Sequence, residues 1–322
     1  MLRAHQNYTA KCKYEAFALL FLNNYGGLLA EQEFDSLLYQ NPALHLKKSP
    51  IPSMLLTLCA NLCFKPMNYT IITGASKGIG KAIAIEAANR GMNLLLVARS
   101  AELLEKLATE LSAKNISVKT LVVDLLEDGA EKKIFDYIKE NSLRVNMLVN
   151  NAGVGFFGNF TECPLEKHMQ VMKLNMDVCV KLTYEFLHQT DTNQRRYILN
   201  TVSTGAYQPV PTMAIYSASK VFMLFFSRAL REELKKKNVY VTALCPGPTE
   251  SEFFIPAQMK EIVDKNARFF MSAEKVAKMG MNAVMKNKSV AIPGFLNKLG
   301  AAASKLSPHD MVVPAAGTFY KV

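Results

Sequence analysis

From residue 68 onward the chain alternates two hydrophobic patterns. Short unbroken apolar runs rich in Ile, Val and Leu occur at NYTIIT (68–73), NLLLVA (93–98), VKTLVVD (118–124), NMLVNNAG (146–153), YILNTVS (197–203), VYVTALCPG (239–247) and SVAIPG (289–294). Between them lie longer stretches whose apolar residues recur at three- and four-residue steps, such as Leu103, Leu104, Leu107 and Leu111 in AELLEKLATELSAK (101–114). A run without polar alternation predicts a strand buried on both faces. Such strands alternating with amphipathic helices predict a parallel sheet covered on each side. The seven runs therefore predict an α/β fold: a single doubly wound Rossmann-fold domain over 67–294 with a seven-stranded parallel sheet.

Residues 1–66 break this rhythm. They offer no strand-turn-helix register and carry the helix-breaking cluster KKSPIPS (47–53). The expectation is an N-terminal extension outside the catalytic fold, poorly ordered or partly helical. One explanation is a start placed too far upstream, with Met54 and Met67 as other starts. The rival is an arm that docks on a membrane or a partner subunit through 16–22 and 54–64. After 294 a basic C-terminal tail, 295–322, is expected.

Composition narrows the class. Half the residues are hydrophobic and a fifth are charged, which suits a packed core rather than disorder. The net charge is +11, and the C-terminal end carries a disproportionate share of it, with seven basic and two acidic residues in 271–322. That excess reads as a solubilising surface, as attraction for phosphorylated ligands, or as weak association with an anionic membrane surface. No basic run is interleaved with aromatics, so nucleic acid is not expected as a partner. The six cysteines (Cys12, Cys59, Cys63, Cys163, Cys179, Cys245) form no CxxC pair and no cluster with His, which predicts reduced thiols in a cytoplasmic protein and no metal site. No apolar run reaches the ~18 residues of a membrane span.

The chemistry concentrates in two places. In TGASKGIG (73–80), Gly74, Gly78 and Gly80 remove side chains where a backbone turns sharply toward a pyrophosphate. The helix that follows, roughly 78–90, presents unpaired N–H groups. The second strand ends at Ala98 and Arg99, with no acid to meet an adenosine ribose. Arg99 suits a 2′-phosphate, and Lys77 adds a second positive charge, so NADP(H) is favoured over NAD. Either cation alone is equally a solvated surface charge. Asp124, after the third strand, is placed to meet an adenine amino group or to cap a helix over 125–138.

The second place is YSASK, which sets Tyr216 and Lys220 four apart on one helix face. A phenol with an ordinary pKa near ~10 is a poor acid at neutral pH, and a nearby ammonium favours its phenolate. Ser203 closes the strand YILNTVS at the end where α/β folds bind ligands. Asn175, in KLNMDV, is a candidate for orienting a water or a lysine.

Taken together these segments resemble the short-chain dehydrogenase/reductase family, and within it bacterial-type 3-oxoacyl and hydroxysteroid-like reductases. TGASKGIG resembles the cofactor turn, VVDL (122–125) the adenine contact, NNAG (150–153) the motif that bounds the cofactor and steadies the sheet, and CPGPT (245–249) the segment beside the nicotinamide. Asn175, Ser203, Tyr216 and Lys220 match the catalytic tetrad. The resemblance covers 67 to about 294. It implies cofactor contacts from Gly74, Ser76, Lys77, Gly78, Ile79, Gly80, Arg99, Asp124, Leu125, Asn151, Ala152, Gly153, Pro246, Gly247 and Thr249, as well as from Tyr216 and Lys220. It implies that Tyr216 exchanges a proton with a carbonyl oxygen that Ser203 hydrogen-bonds. Lys220 would bind the nicotinamide ribose, and Asn175 would hold a relay water.

The loops after strands four to six carry Phe156, Phe157, Phe160, Tyr207, Phe253 and Phe254. They either wall an apolar substrate site, suited to a 3-oxoacyl or steroid-like ketone, or pack the loops onto the body. The run Val221 to Phe226 leaves its helix apolar all round, so a partner subunit in a homodimer or homotetramer, or the chain's own C-terminal tail, should cover it. The expected function is an NADP(H)-dependent ketone/alcohol oxidoreductase. The alternative is a catalytically silent NADP(H)-binding sensor or scaffold.

Overall fold

The seven apolar runs assemble into one sheet. The computed structural model describes residues 68–250 and 270–319. Within them β1 (Tyr69–Thr73), β2 (Asn93–Ala98), β3 (Val118–Val122), β4 (Val145–Asn150), β5 (Arg196–Thr201) and β6 (Val239–Leu244) are followed by β7 (Thr249–Glu250), β8 (Met271–Ser272) and β9 (Val290–Ala291). The main sheet has the order β3-β2-β1-β4-β5-β6-β9 with every pairing parallel, and β7 and β8 pair apart from it. The chain winds outward from β1 to β3, then returns to start β4 on the other side of β1. The carboxyl ends of β1 and β4 thus flank the switch point, where such sheets open a ligand crevice.

Helices α1 (Gly78–Asn89), α2 (Ala101–Ser112) and α3 (Ala130–Glu140) precede α4 (Leu165–Met172), which runs through a π-helical turn, Lys173–Asp177, into α5 (Val178–Gln189). Then come α6 (Ala214–Glu233), α7 (Ala273–Met285), α8 (Phe295–Leu306) and α9 (His309–Phe319). Two hydrophobic layers follow from strand alternation. Ile72, Leu94 and Leu96 pack with Leu104, Leu107 and Leu111 of α2 and with α1 and α7 on one face. Ile71, Leu95 and Val97 pack with Ile134, Phe135 and Phe186 on the other. Every residue of β1 and β2 is buried, as unbroken apolar runs require, whereas the edge strand β3 is half-exposed.

Two expectations change. The helix expected over 125–138 starts only at Ala130, because Gly129 takes φ +76 as its N-cap and 125–129 form a turn. The stretch from 295, read in the sequence as a tail, forms α8 and α9. Among the described residues no helix is long and apolar enough to cross a membrane. The expectations for 1–66, with Met54, Met67, Cys12, Cys59 and Cys63, and those for Phe253 and Phe254, fall outside the described residues.

Candidate active site

The turn after β1 is built around a side chain with no obvious motif status, Thr73. Its Oγ1 donates to the Val149 carbonyl (3.1 Å) and accepts from the N–H groups of Asn151 (3.0 Å) and Ala152 (3.1 Å). Asn151 Nδ2 returns to the carbonyls of Thr73 (3.1 Å) and Gly74 (3.3 Å), and its Oδ1 accepts from Thr201 Oγ1 (3.3 Å). The ends of β1, β4 and β5 are thereby locked together. Gly74 (φ +63) passes so close to Ala152 that a Cβ would sit 2.9 Å from its Cα. A Cβ on Gly80 would overlap the Gly74 carbonyl oxygen and Asn151 Nδ2. Gly78 also has positive φ, at +53. The result is a helix that begins flush against the turn. Its N-cap, Lys77, lends it no side-chain cap, and no acid lies in its first turn. Ile79 packs against the core beneath, and Ser76 is partly exposed in the turn.

At the far end of the crevice, Arg99 follows β2 and is two-thirds exposed, with Nη1 3.8 Å from Asp124 Oδ2. Asp124 Oδ1 accepts from Leu126 N–H (3.0 Å), so it closes a local turn rather than capping α3, and Leu125 beside it is buried.

Four residues spread over 46 positions of sequence, from Asn175 to Lys220, meet around two glycines. A Cβ on Gly153 would lie 3.1 Å from Asn175 Oδ1 and 3.6 Å from Lys220 Nζ. A Cβ on Gly205 would lie 3.4 Å from Ser203 Oγ and 3.8 Å from Tyr216 Cε1. Asn175 sits in the π-helical turn and is buried. Its amide accepts from Val154 N–H (2.9 Å) and donates to the Val154 carbonyl (2.9 Å) and Ser219 Oγ (3.1 Å). Such one-turn π-bulges recur at functional sites. Ser203 Oγ accepts from Gly205 N–H (3.0 Å). Lys220 is buried, donates to the Thr201 carbonyl (3.0 Å), and holds its Nζ 5.6 Å from the Tyr216 ring centre. Burial pushes the Lys220 ammonium down to about 8, against a weaker opposing pull from Cys179 and Cys245. Burial also pushes both of those thiols up to about 11.

After β6 the Pro246 carbonyl accepts from Thr204 N–H (2.8 Å), and the Gly247 carbonyl from Thr249 Oγ1 (2.9 Å). The first bond holds the CPGPT segment beside Ser203, and the second closes a local turn within it. A sequence profile of the short chain dehydrogenase family matches residues 68–261, more than half the chain. The chain belongs to the short-chain dehydrogenases. Human 17-beta-hydroxysteroid dehydrogenase type 3 is 38% identical over 184 residues, 55% of this chain and 58% of that one. The very-long-chain 3-oxoacyl-CoA reductase of Rattus norvegicus is 32% identical over 201 residues, 60% of this chain and 61% of that one. The chain thus spans about three fifths of the length of these curated relatives. A short-chain dehydrogenase from Sphingobium yanoikuyae, solved with NADPH, superposes with a TM-score of 0.62 at 27% identity, covering 74% of this chain and 94% of that one. A 7beta-hydroxysteroid dehydrogenase shares the fold with a TM-score of 0.68 at 23% identity, covering 77% of this chain and 96% of that one.

The aromatic loops divide in their roles. Tyr207 is buried, with its hydroxyl 3.8 Å from Cys245 Sγ, so it packs its loop onto the body of this short-chain dehydrogenase. Phe156, Phe160 and Tyr216 line a small cavity of about 80 Å³ with Met213 and His168, and Phe160 stacks on the His168 ring at 4.6 Å. A larger apolar groove of about 850 Å³ runs along the opposite side of α6, past Val221, Leu224 and Phe225 to the C-terminal helices. Ser203, Tyr216 and Lys220 do not line it. Part of the apolar run on α6 is therefore covered, with Met223 and Leu224 buried in a cluster that includes Ala301 of α8, while Phe225 stays 63% exposed.

Thr73, Thr201, Gly205 and Ser219 escaped the sequence reading. A hydroxyl at a strand's carboxyl end was the available signal for Thr73 and Thr201. Gly205 and Ser219 act through proximity in the fold and leave none.

Proposed function

We propose that the protein is an NADP(H)-dependent oxidoreductase that interconverts a ketone and a secondary alcohol, acting on an apolar substrate of the 3-oxoacyl or steroid-like kind. The meeting of Ser203, Tyr216, Lys220 and Asn175 around Gly153 and Gly205, at the carboxyl edge of the sheet, carries this reading. The turn residues fit a dinucleotide. Positive φ at Gly74 and Gly78 and the side-chain-free packing of Gly80 keep side chains out of the turn before α1, where the helix's first N–H groups would meet a pyrophosphate. Gly74 to Gly80 would hold the phosphates, Arg99 with Lys77 the 2′-phosphate, Asp124 and Leu125 the adenine end, and Asn151 to Gly153 with Pro246, Gly247 and Thr249 the nicotinamide end.

When bound, the reduced nicotinamide supplies a hydride. The chain's own part is the proton and the geometry. Ser203 donates a hydrogen bond to the carbonyl oxygen, and Tyr216 gives that oxygen its proton. The buried Lys220 ammonium, fixed by the Thr201 carbonyl, favours the phenolate left behind. Asn175 acts first on the backbone: its paired bonds to Val154 set the loop that carries Gly153. The named relatives act on steroids and on long 3-oxoacyl chains, which supports an apolar substrate. Exposed Phe222 and Phe225 on α6 further support contact with a second copy in a homodimer or homotetramer.

The test is NADPH oxidation, followed by absorbance, across a panel of aliphatic, 3-oxoacyl and steroid ketones. Turnover of an apolar ketone is expected. Tight NADPH binding without turnover of any member would refute the enzyme reading.

A further inference from the structure

Helix α8 is packed the wrong way round for a helix at a water interface. Its inward side is small or polar: Ala301 and Ser304 are buried, Ser304 Oγ donates to Gln208 Oε1 (2.9 Å), and Asn297 fills the space beside Gly247. Its outward side carries the large apolar residues. Phe295 is 73% exposed, Leu296 66%, Leu299 51% and Leu306 88%, and Met311 on α9 adds to them at 69%. At helical spacing, 295, 299, 302, 303 and 306 lie on one stripe with 296 at its edge. A sequence that wanted only a soluble cap would reverse the two sides. Solitary exposed leucines are ordinary, but a continuous stripe of them marks a contact surface.

The charge beside the stripe indicates what covers it. Helix α8 itself carries Lys298 and Lys305 and no Asp or Glu, and the first acid after it is Asp310, beside Met311 in the first turn of α9. Lys298 is exposed on the flank of the stripe, and Lys305, one helical repeat on, sets its ammonium over the Tyr207 ring at 4.9 Å. An apolar helix face flanked by lysines, with no acid on α8 and the single carboxylate of Asp310 beyond its end, matches an acyl layer under anionic headgroups. A second copy fits less well. A two-fold contact would set the same lysines against one another.

We propose that the outward face of α8, extended by Met311, docks on an anionic lipid bilayer. The buried side of the same helix rests on the segments after β5 and β6, through Gln208, Tyr207 and Gly247. Docking there sets the crevice end of the molecule against the lipid, where an apolar ketone would partition. That last consequence rests on the reductase reading; the docking itself does not, and it is measured without substrate.

The experiment is co-flotation of the full chain with vesicles of phosphatidylcholine, with and without phosphatidylserine at about a third of the lipid. Wild type should bind the anionic vesicles several-fold more tightly than the neutral ones, and added salt should weaken that preference. Phe295→Ser/Leu299→Ser should lower binding by about ten-fold or more, since two large apolar contacts with the acyl layer are removed. Lys298→Glu, which leaves the apolar packing untouched, should lower binding to anionic vesicles by about five-fold or more and leave neutral vesicles unaffected. Circular dichroism melting checks that both variants stay folded. Three results would overturn the proposal: no vesicle binding by wild type, binding equal in wild type and both variants, or a dimer in analytical ultracentrifugation that Phe295→Ser/Leu299→Ser abolishes.

Discussion

Lys220 should leave a signature in the pH dependence of stability, separate from any activity. Its ammonium is buried and lowered from 10.5 to about 8, with desolvation as the largest cause. Between those values the unfolded chain binds a proton that the folded chain has released, so stability rises with pH across the window. Below about 8 both states are protonated, and the cost of burying the charge is present in full. At 1.36 kcal/mol per unit, a shift of this size corresponds to about 3 kcal/mol, of which about 2.5 kcal/mol is relieved between pH 7 and pH 10. Lys220→Met removes the titration and keeps much of the stem's volume. It leaves the Thr201 carbonyl without its donor, which shifts the variant's baseline by an amount nearly independent of pH. Cys179, Cys245 and Tyr207 are all raised by burial and pull the other way at high pH; the Lys220 charge lowers the two thiols slightly, but all three groups stay mostly protonated in the folded state up to pH 10 in both proteins, so little of their effect survives in the difference. Urea unfolding of the cofactor-free protein at each pH provides the comparison. The stability of wild type minus that of the variant should climb by about 2 to 3 kcal/mol from pH 7 to pH 10. Parallel profiles would mean that Lys220 is not desolvated as its burial implies, and the reasoning would fail.

Further outcomes follow from the same geometry. Arg99→Ala should lower kcat/KM for NADPH by roughly 10- to 150-fold, the loss of about 1.5 to 3 kcal/mol expected for one charge-assisted phosphate contact, and should change NADH little. A wild type that prefers NADH contradicts the assignment. Gly80→Ala should destabilise the fold by at least about 1 to 3 kcal/mol in urea titrations, because its Cβ has only backbone and the Asn151 amide to displace. Wild-type stability in that variant would show that the turn can relax. Asn175→Ala should lower stability by about 1 to 3 kcal/mol, since the Val154 N–H and carbonyl lose their partner. It should also slow turnover, and a variant with unchanged kcat would remove Asn175 from the site.

The sheet was legible because buried parallel strands are written as unbroken apolar runs; all seven runs became strands of the main sheet. Helix limits were less legible where turn chemistry intervened, as at Gly129, whose positive φ delays α3 beyond the apolar pattern. Tyr216 and Lys220 were visible as a helix-face pair. Ser203 was suggested by its place at a strand's carboxyl end and Asn175 only as a candidate, and the resemblance joined them to the pair, because spacing does not reveal that distant segments converge on Gly153 and Gly205. The role of Tyr207 could not be read from composition, since an aromatic in a loop has the same letters whether it stands free in a substrate mouth or, as here, is buried with its hydroxyl on Cys245 and its body against the groove beside α6. Nor did a basic C-terminal stretch announce a helix, because α8 turns its small residues inward and hides the amphipathic logic by reversing it.

In the proposed mechanism Tyr216 transfers the proton to a substrate carbonyl oxygen. The most direct measurement is single-turnover NADPH oxidation by wild type and Tyr216→Phe with the best ketone of the panel, alongside NADPH binding followed by fluorescence. The phenol alone is removed and the ring is kept, so NADPH affinity should stay close to wild type. Turnover should fall by about 10²- to 10⁴-fold, the usual contribution of a positioned general acid. A variant that binds NADPH normally and keeps more than a tenth of wild-type turnover would contradict the assignment.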